Sequence, residues 1–89
     1  MIVKCFAIVD RVTGVFDGPH KAMNEGQFMR SFKDVCTKGE IANHPEDFYA
    51  VEIGTYDDAT GVMVGAEDGP RRIADAADLV MGDKENIDA

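Results

Sequence analysis

The stretch from Ile2 to Val15, IVKCFAIVDRVTGV, sets the topology predicted for this chain. Residues 2–9 are apolar except for Lys4, which is typical of a strand in the middle of a sheet. Asp10 and Gly14 then supply turn chemistry, because aspartate accepts a hydrogen bond from the turn backbone and glycine tolerates a positive φ. A return strand begins directly after this glycine. We therefore expect the chain to open with an antiparallel hairpin.

The same turn pattern returns later in the chain. Asp10–Val15 and Asp57–Val62 share the pattern Asp-x-x-Thr-Gly-Val, and Phe48–Tyr56 alternates between two faces as a half-exposed strand does. Asp-Gly-Pro follows each turn, at Asp17–Pro19 and Asp68–Pro70, and should interrupt the first return strand because proline cannot donate to a ladder. Two interpretations stay open: a duplicated strand-turn-strand-helix unit, or favourable turn chemistry that arose twice.

The segment from Asn24 to about Cys36 predicts the main helix. Asn24 suits the N-cap, and Glu25 lies in the first turn, where the helix dipole favours a carboxylate. Lys38-Gly39 is a typical helix end. The apolar residues that recur at helical spacing and should face the sheet are Phe28, Phe32 and Val35.

These elements together predict an α+β fold, a four-stranded antiparallel sheet with one or two helices packed on one face. If the two turns mark a repeat, the order is a pseudo-symmetric ββα-ββα. A second, short helix is expected over residues 73–81, starting near Pro70. The 89 residues fit one domain, predicted over residues 1–81, and residues 82–89 are expected to form a frayed acidic tail.

The composition is that of a folded protein without membrane-spanning segments. The hydrophobic fraction of 45% argues against disorder, and no apolar run reaches the roughly 18–20 residues that span a bilayer. The N-terminus lacks the basic region and cleavage site of a signal peptide, so we expect the protein to stay in the cytoplasm. Cys5 and Cys36 fit that compartment as buried, reduced thiols.

No active site is predicted. Ser31, the only serine, lies in the main helix without the glycines of a nucleophile elbow, and no phosphate-binding loop occurs. His44-Pro45-Glu46-Asp47 sets a histidine beside two carboxylates, which we interpret as a solvated loop rather than an acid–base site. The cysteine and histidine spacings do not match zinc sites, and Asp57-Asp58 lacks the ligand count for calcium. We expect a non-enzyme with no cofactor and no metal.

The formal net charge of −8 is unevenly distributed. Residues 1–38 carry six basic and four acidic residues, a net of +2, whereas residues 39–89 carry three basic and thirteen acidic ones, a net of −10. Net charge therefore does not exclude a polyanion as the ligand. The cations predicted to share one nucleic-acid-binding face are Lys4, Lys21, Arg30, Lys33 and Lys38.

Aromatic rings that point outward would let unpaired bases stack on the same surface. The candidate rings are Phe6, Phe16, Phe48 and Tyr49, although Phe6, Phe28 and Phe32 are expected to be needed for the core. The acidic half could compete with DNA or recruit a protein. Open sheet edges favour association, so a homodimer is a further expectation.

One block in the second half resembles a known family. Pro45–Gly61 reads Pro-Glu-Asp-aromatic and then Ile-Gly-x-aromatic-Asp-Asp-x-Thr-Gly. With the opening strand and Phe28–Phe32, it resembles the small non-structural protein of gokushovirus-type microviruses, which are single-stranded DNA phages. The looser similarity runs from about Ile2 to Val64, and the chain from Gly65 on is not part of it.

The resemblance implies a phage protein made in the host cytoplasm and absent from the virion. It implies DNA binding in the switch from duplex replication to synthesis of single-stranded genomes, and it brings no catalytic residues. The leading hypothesis is thus a non-enzymatic binder of single-stranded DNA or of a phage or host replication protein. The alternative is an acidic adaptor that binds a host or phage protein and not DNA, based on the net charge of −10 over residues 39–89 and on the sheet edges.

Overall fold

The computed structural model describes residues 1–80. Its elements are β1 (Ile2–Asp10), β2 (Phe16–Ala22), α1 (Glu25–Val35), α2 (Gly39–Asn43), a 3₁₀ turn (Pro45–Asp47), β3 (Phe48–Asp57), β4 (Met63–Gly65) and β5 (Arg71–Asp75). Helical residues 76–80 follow β5. The predicted α+β class is confirmed. The predicted acidic tail, residues 82–89, lies outside the described residues.

A single antiparallel sheet is built around the pair β1 and β3. The strand order is β2-β1-β3-β4, and β5 also pairs with β3. β4 pairs with residues 54–56 of β3 and β5 with residues 49–52, so the two short strands share one edge of β3. The predicted four-stranded width is thus confirmed, with the fourth position divided between β4 and β5.

The main core lies between this sheet and α1. The ring of Phe6 stacks on that of Phe28 with centroids 4.3 Å apart, and Phe28 lies 5.9 Å from Phe32. All three rings are buried, as predicted. Ala22, Phe48 and Ala50, from β2 and β3, belong to the same buried cluster.

The inward residue at the end of α1 differs from the prediction. Val35 is 37% exposed, whereas Cys36 is 1% exposed and joins the core. Met29 also packs against this core, and at about 100° per residue Cys36 lies between Phe32 and Met29 around the helix, whereas Val35 lies beyond Phe28 on the other side. The buried stripe thus runs from Phe28 through Phe32 and Cys36 to Met29, and Val35 lies at its edge. Cys5 is also buried, so the predicted burial of both cysteines is confirmed.

The predicted cap and extent of α1, from Asn24 to about Cys36, are confirmed, but the role predicted for Lys38-Gly39 as its terminator is wrong. The Asn24 side chain accepts a hydrogen bond from the Gln27 backbone N–H at 2.8 Å, and the Gln27 side chain accepts one from the Met23 N–H at 2.7 Å. Gly39 does not terminate α1. It opens α2, with a φ of +59°.

Two further local predictions change in the structure. Residues 71–75 form β5, and helical residues begin only at 76, so the helix predicted over residues 73–81 is too long at its start. Asp17–Pro19 lies inside β2, where the register to β1 shifts, rather than ending that strand. Asp68–Pro70 instead precedes β5 as a turn, so the two Asp-Gly-Pro segments are not structurally equivalent.

The two Asp-x-x-Thr-Gly-Val turns have the same hydrogen bonds. In both, the Asp N–H donates to the Val carbonyl (3.0 and 2.9 Å), and the Gly N–H donates to the Asp carbonyl (2.8 and 2.7 Å). The Asp side chain accepts from the N–H two residues later (2.9 Å in both), and the Thr hydroxyl accepts from the Val N–H (3.3 Å in both). These residues are Asp10, Thr13, Gly14 and Val15 in the first turn, and Asp57, Thr60, Gly61 and Val62 in the second. The sequence repeat is thus also a repeat of geometry.

Candidate nucleic-acid interface

The sheet face opposite α1, which we call the open face, carries its own apolar cluster. Because Phe6 points toward α1, its neighbours in β1 point to the other side. Ala7, Val9 and Val51 are 1–3% exposed there, and Tyr49 and Ile53 pack beside them. Tyr49, Val51 and Ile53 therefore share one face, as the alternation of Phe48–Tyr56 predicts. This apolar cluster lies beneath the charged side chains of the open face, which are described next.

Two guanidinium groups lie over the ring of Tyr49. The Cζ atom of Arg11 is 4.7 Å and that of Arg72 is 4.5 Å from the ring centroid. Arg11 follows β1 in the first turn, and Arg72 belongs to β5, opposite Val51. Cation–π contacts of this kind hold the charged groups against the sheet. Arg11 also donates from Nη1 to the Glu46 carbonyl at 2.6 Å, which fixes its orientation.

Asp75 joins these two arginines. Its Oδ1 accepts a hydrogen bond from Arg11 Nη2 at 2.8 Å and another from Arg72 Nη2. The bond from Arg72 is the main reason that the pKa of Asp75 lies below its ordinary value; burial opposes the shift, and the bond from Arg11 adds to it. Two guanidinium groups and one carboxylate leave this cluster with one net positive charge at neutral pH.

A second cation and ring pair lies further along β3. The Nζ atom of Lys21 is 5.0 Å from the ring centroid of Tyr56. Lys21 of β2 pairs with Cys5 of β1. Burial raises the pKa of the Cys5 thiol, and the positive charge of Lys21 partly offsets this rise. Both Lys21 and Tyr56 line a depression of about 240 Å³ together with Cys5, Pro19 and Met63.

Phe16 adds a more exposed ring to the open face. It pairs with Val9 in the register between β1 and β2, and it is 49% exposed. Of the other rings considered for base stacking, Phe6 and Phe48 are buried in the core at 0% and 9% exposure. Phe16 and Tyr49 thus remain candidates, and Tyr56 joins them.

The five cations predicted from the sequence do not share one face. Lys21 lies on the open face. Lys4 lies on the side of α1, where its Nζ is 3.2 Å from Glu52 Oε1. Arg71 also contacts Glu52 at 3.2 Å and reaches Glu25 of α1 at 2.6 Å. Lys4 is therefore part of a structural ion-pair network.

The other three predicted cations belong to α1 and the segment after it. Arg30 and Lys33 line a shallow depression of about 540 Å³ on the outer side of the helix. Lys38 pairs with Asp34 at 3.1 Å. These cations therefore lie on the α1 side of the sheet and not with the Tyr49 cluster on the open face. Contact between these cations and DNA stays a prediction.

Sequence analysis missed Arg11, Arg72 and Tyr56. Tyr49 and Tyr56 are seven residues apart, so strict alternation would place them on opposite faces. The register of β1 against β3 shifts between Cys5 and Phe6, which inserts one extra residue in β3 and returns Tyr56 to the open face. Gly54 was the available signal, since a glycine inside a strand pattern often marks a bulge.

The group His44, Glu46 and Asp47 also comes together. Their ligand atoms all lie within 4.8 Å of one another; His44 and Glu46 are exposed and Asp47 is half-buried. Three ligand atoms on one surface turn are fewer than the four of a closed zinc site.

No helix within residues 1–80 is long and apolar enough to cross a membrane.

Comparison with known proteins identifies the family. The family model described as Phage ORF5 protein matches residues 3–79. That range contains both hairpins, α1 and every open-face residue named above. Comparisons with curated proteins and with solved structures found no match. The chain belongs to the Phage ORF5 protein family.

Proposed function

We propose that this phage protein binds single-stranded DNA on the open face of its sheet, without catalysis, during the synthesis of single-stranded genomes. The observation that carries the proposal is the combination of rings and cations on one face. Tyr49 and Tyr56 each lie under a cation, and Phe16 presents a ring that is 49% exposed. Proteins that bind single strands combine cations along the backbone path with rings on which bases stack.

The shape of the face favours an unpaired strand over a duplex. A base can stack on an exposed ring or on a guanidinium plane only when it is not already stacked in a duplex. Tyr49 and Tyr56 are seven residues apart on β3, which corresponds to about 20 Å and leaves room for several nucleotides. The resemblance of Pro45–Gly61 to the gokushovirus protein supports a single-stranded phage genome as the ligand.

The charge on the face sets the expected strength of binding. Lys21, Arg11 and Arg72 supply three positive charges, and Asp75 removes one of them. The molecule as a whole carries −8. Binding should therefore be local to this face, modest in affinity and steeply weakened by salt, because each phosphate neutralised releases counterions.

The test compares two charge reversals on opposite sides of the molecule. Fluorescence anisotropy of labelled single-stranded and duplex DNA is measured at low and then moderate salt. Lys21→Glu should weaken single-strand binding about tenfold. Lys33→Glu makes the same charge change on α1 and should have little effect beyond that of net charge.

The opposite pattern would place the site on α1, with Arg30 and Lys33, and would contradict the open-face proposal. Equal affinity for single strands and duplex would contradict the role of base stacking. No binding at low salt would rule out the DNA proposal altogether.

A second candidate function, an adaptor for a host or phage protein, is favoured by the acidic half. Residues 39–89 carry a net charge of −10. An acidic surface of this strength suits a basic protein partner. If the tail carries the interaction, deletion of residues 82–89 should abolish capture of the partner in a pull-down while leaving DNA binding intact. Undiminished capture would exclude the tail as the binding element.

A further inference from the structure

We infer that β4 is an interface strand, and that it pairs antiparallel with β4 of a second copy of this chain. The stretch Val62–Ala66 reads Val-Met-Val-Gly-Ala and contains no charged residue. Val62, Met63 and Val64 are 54%, 56% and 57% exposed, so side chains on both faces of the strand lie in water. A monomer gains nothing from three adjacent exposed apolar residues on a strand edge.

The two outer edges of the sheet differ in this respect. The edge formed by β2 carries Asp17, Pro19, His20 and Lys21, and its register to β1 is irregular. Charges, proline and irregular pairing are the usual means by which an edge strand resists pairing with another chain. β4 shares its edge with the charged strand β5, but β4 itself has no charge, no proline and a regular register to β3. The contrast within one molecule indicates that β4 is kept available for pairing.

The backbone of β4 specifies a register. The Asp57 N–H donates to the Val62 carbonyl, and the Ala66 N–H donates to the Ile53 carbonyl, both at 2.9 Å. Residues 62, 64 and 66 therefore turn their polar backbone groups toward β3. By alternation, Met63 and Gly65 turn theirs outward.

A two-fold axis at Val64 satisfies these outward groups. Met63 then faces the second copy's Gly65, and Gly65 faces the second copy's Met63, with two hydrogen bonds in each pair. The two copies of Val64 meet at the axis as a non-hydrogen-bonded pair, with Cα atoms about 4.5 Å apart. The small glycine gives the methionine space, and no like charges meet. This self-complementarity is what a two-fold interface requires, which is why the partner is a second copy.

The proposed dimer does not depend on DNA binding, but it would join the open faces of the two copies into one larger surface. Met63 pairs with Tyr56 across β3 and β4, so an edge-to-edge dimer places the two open faces side by side. The interface is small, with four backbone hydrogen bonds and a few apolar side chains. We therefore expect a weak, concentration-dependent dimer.

Cysteine cross-linking tests both the edge and its register. In Val64→Cys the two new thiols lie across the axis at a Cα separation within the disulfide range, so mild oxidation should produce a covalent dimer. Val62→Cys is the matched control on the same strand, because position 62 faces the second copy's Ala66. The two substituted positions are then more than about 13 Å apart and should not cross-link. The native Cys5 and Cys36 are each 1% exposed and are present in both variants.

Sedimentation velocity provides a second measurement that does not depend on a disulfide. The wild-type mass should rise from monomer toward dimer with concentration, and Val64→Lys should remain monomeric because two lysines would meet at the axis. Equal cross-linking of Val62→Cys and Val64→Cys would overturn the inference. So would a wild-type protein that stays monomeric while Val64→Cys fails to cross-link.

Discussion

Asp75 determines how much of the positive charge on the open face is available to a ligand. Its Oδ1 accepts hydrogen bonds from both Arg11 and Arg72, which lie over the ring of Tyr49. A carboxylate in this position orients the two guanidinium groups and neutralises one of them. Asp75 therefore lowers the positive charge that this cluster presents to solvent while it holds both guanidinium groups in place.

Replacement of Asp75 should therefore strengthen DNA binding. In Asp75→Asn the side-chain size is kept and one negative charge is lost, so single-strand affinity at low salt should rise several-fold. The slope of log affinity against log salt should steepen by about 0.7 for each additional phosphate contacted. Anisotropy titrations at three salt concentrations measure both quantities. Asp78→Asn, the same change three residues later, is the control, and an equal gain there would mean that only net charge matters.

The stability of the protein should fall in acid because of Glu52 and Asp75. Burial by itself would raise the pKa of Glu52, but hydrogen bonds from Lys4 and Arg71 outweigh it and leave the pKa below its ordinary value. The pKa of Asp75 is lowered as well. A carboxyl with a lower pKa in the folded state stabilises the protein fully above its unfolded pKa of about 4, and the contribution is lost as the pH falls through the folded pKa.

Glu52→Gln should accordingly unfold at a lower urea concentration than wild type at pH 7. The difference should shrink toward zero at about pH 2–3, where Glu52 is protonated in both folded and unfolded chains. Urea denaturation at a series of pH values measures it. A difference that stays constant down to the lowest pH would show that the ion-pair network with Lys4 and Arg71 is not its source.

At the scale of elements, the two hairpin turns offer an internal comparison. Gly14 has a φ of +75° and Gly61 a φ of +79°, and a Cβ atom at either position would meet nothing within 4 Å. Alanine at either site should therefore cost only the backbone strain of the left-handed region, about 1–2 kcal/mol.

Gly14→Ala and Gly61→Ala should lower the free energy of unfolding by equal amounts, measured by urea denaturation. Asparagine at the same sites should cost less, because it tolerates this conformation better. A large inequality between the two alanine variants would mean that the matching hydrogen bonds do not reflect matching energetics.

Gly54 has a different role, because it lets β3 and β4 approach. A Cβ atom there would lie 2.1 Å from the Val64 carbonyl oxygen. Gly54→Ala should displace β4 and speed hydrogen exchange at the Val64 amide, while the amides of β1 stay protected. Gly65→Ala is the matched control at concentrations where the chain is monomeric, since a Cβ at Gly65 meets nothing within 4 Å in its own chain. Unchanged exchange in Gly54→Ala would mean that β3 bends to accept the side chain.

Elements with local signals were predictable, and those fixed by distant partners were not. The Asn24 cap and the two Asp-x-x-Thr-Gly-Val turns carry their own hydrogen-bonding groups, so α1 and both hairpins follow from the sequence. Residues 71–75 contain an apolar pair, Ile73 and Ala74, that suits helix and strand equally. They form a strand because residues 49–52 of β3 offer an edge for them, which no local pattern contains.

For the whole molecule, the number of charged residues could be read from the sequence, but the face of the sheet on which each one lies could not. The cations of residues 1–38 are visible in the sequence, yet the sheet separates Lys21 from Arg30 and Lys33. The open-face site depends instead on Arg11 and Arg72, from opposite ends of the chain, and on a bulge that turns Tyr56 outward. Such a site requires the register of three strands to be known.

The two proposed interactions should respond to salt in opposite directions. Salt should weaken DNA binding, because it removes the gain from counterion release. It should strengthen the β4 dimer, because it screens repulsion between two acidic copies. Sedimentation and anisotropy on one preparation from about 20 to 500 mM salt check both trends. A dimer that weakens with salt would point to ion pairs, rather than apolar contact, at its interface.

The antiparallel seam between β1 and β3 also divides the molecule into two comparable parts. Nine residues of β1 pair across it, and each side brings its own hairpin and helical residues. A chain severed between α1 and β3 would yield two peptides, each with one long strand that lacks its neighbour. Each peptide would regain the backbone hydrogen bonds of that missing strand only by binding the other. The fold is thus suited to reassembly from fragments, and its halves could serve as a split reporter for proximity inside a cell.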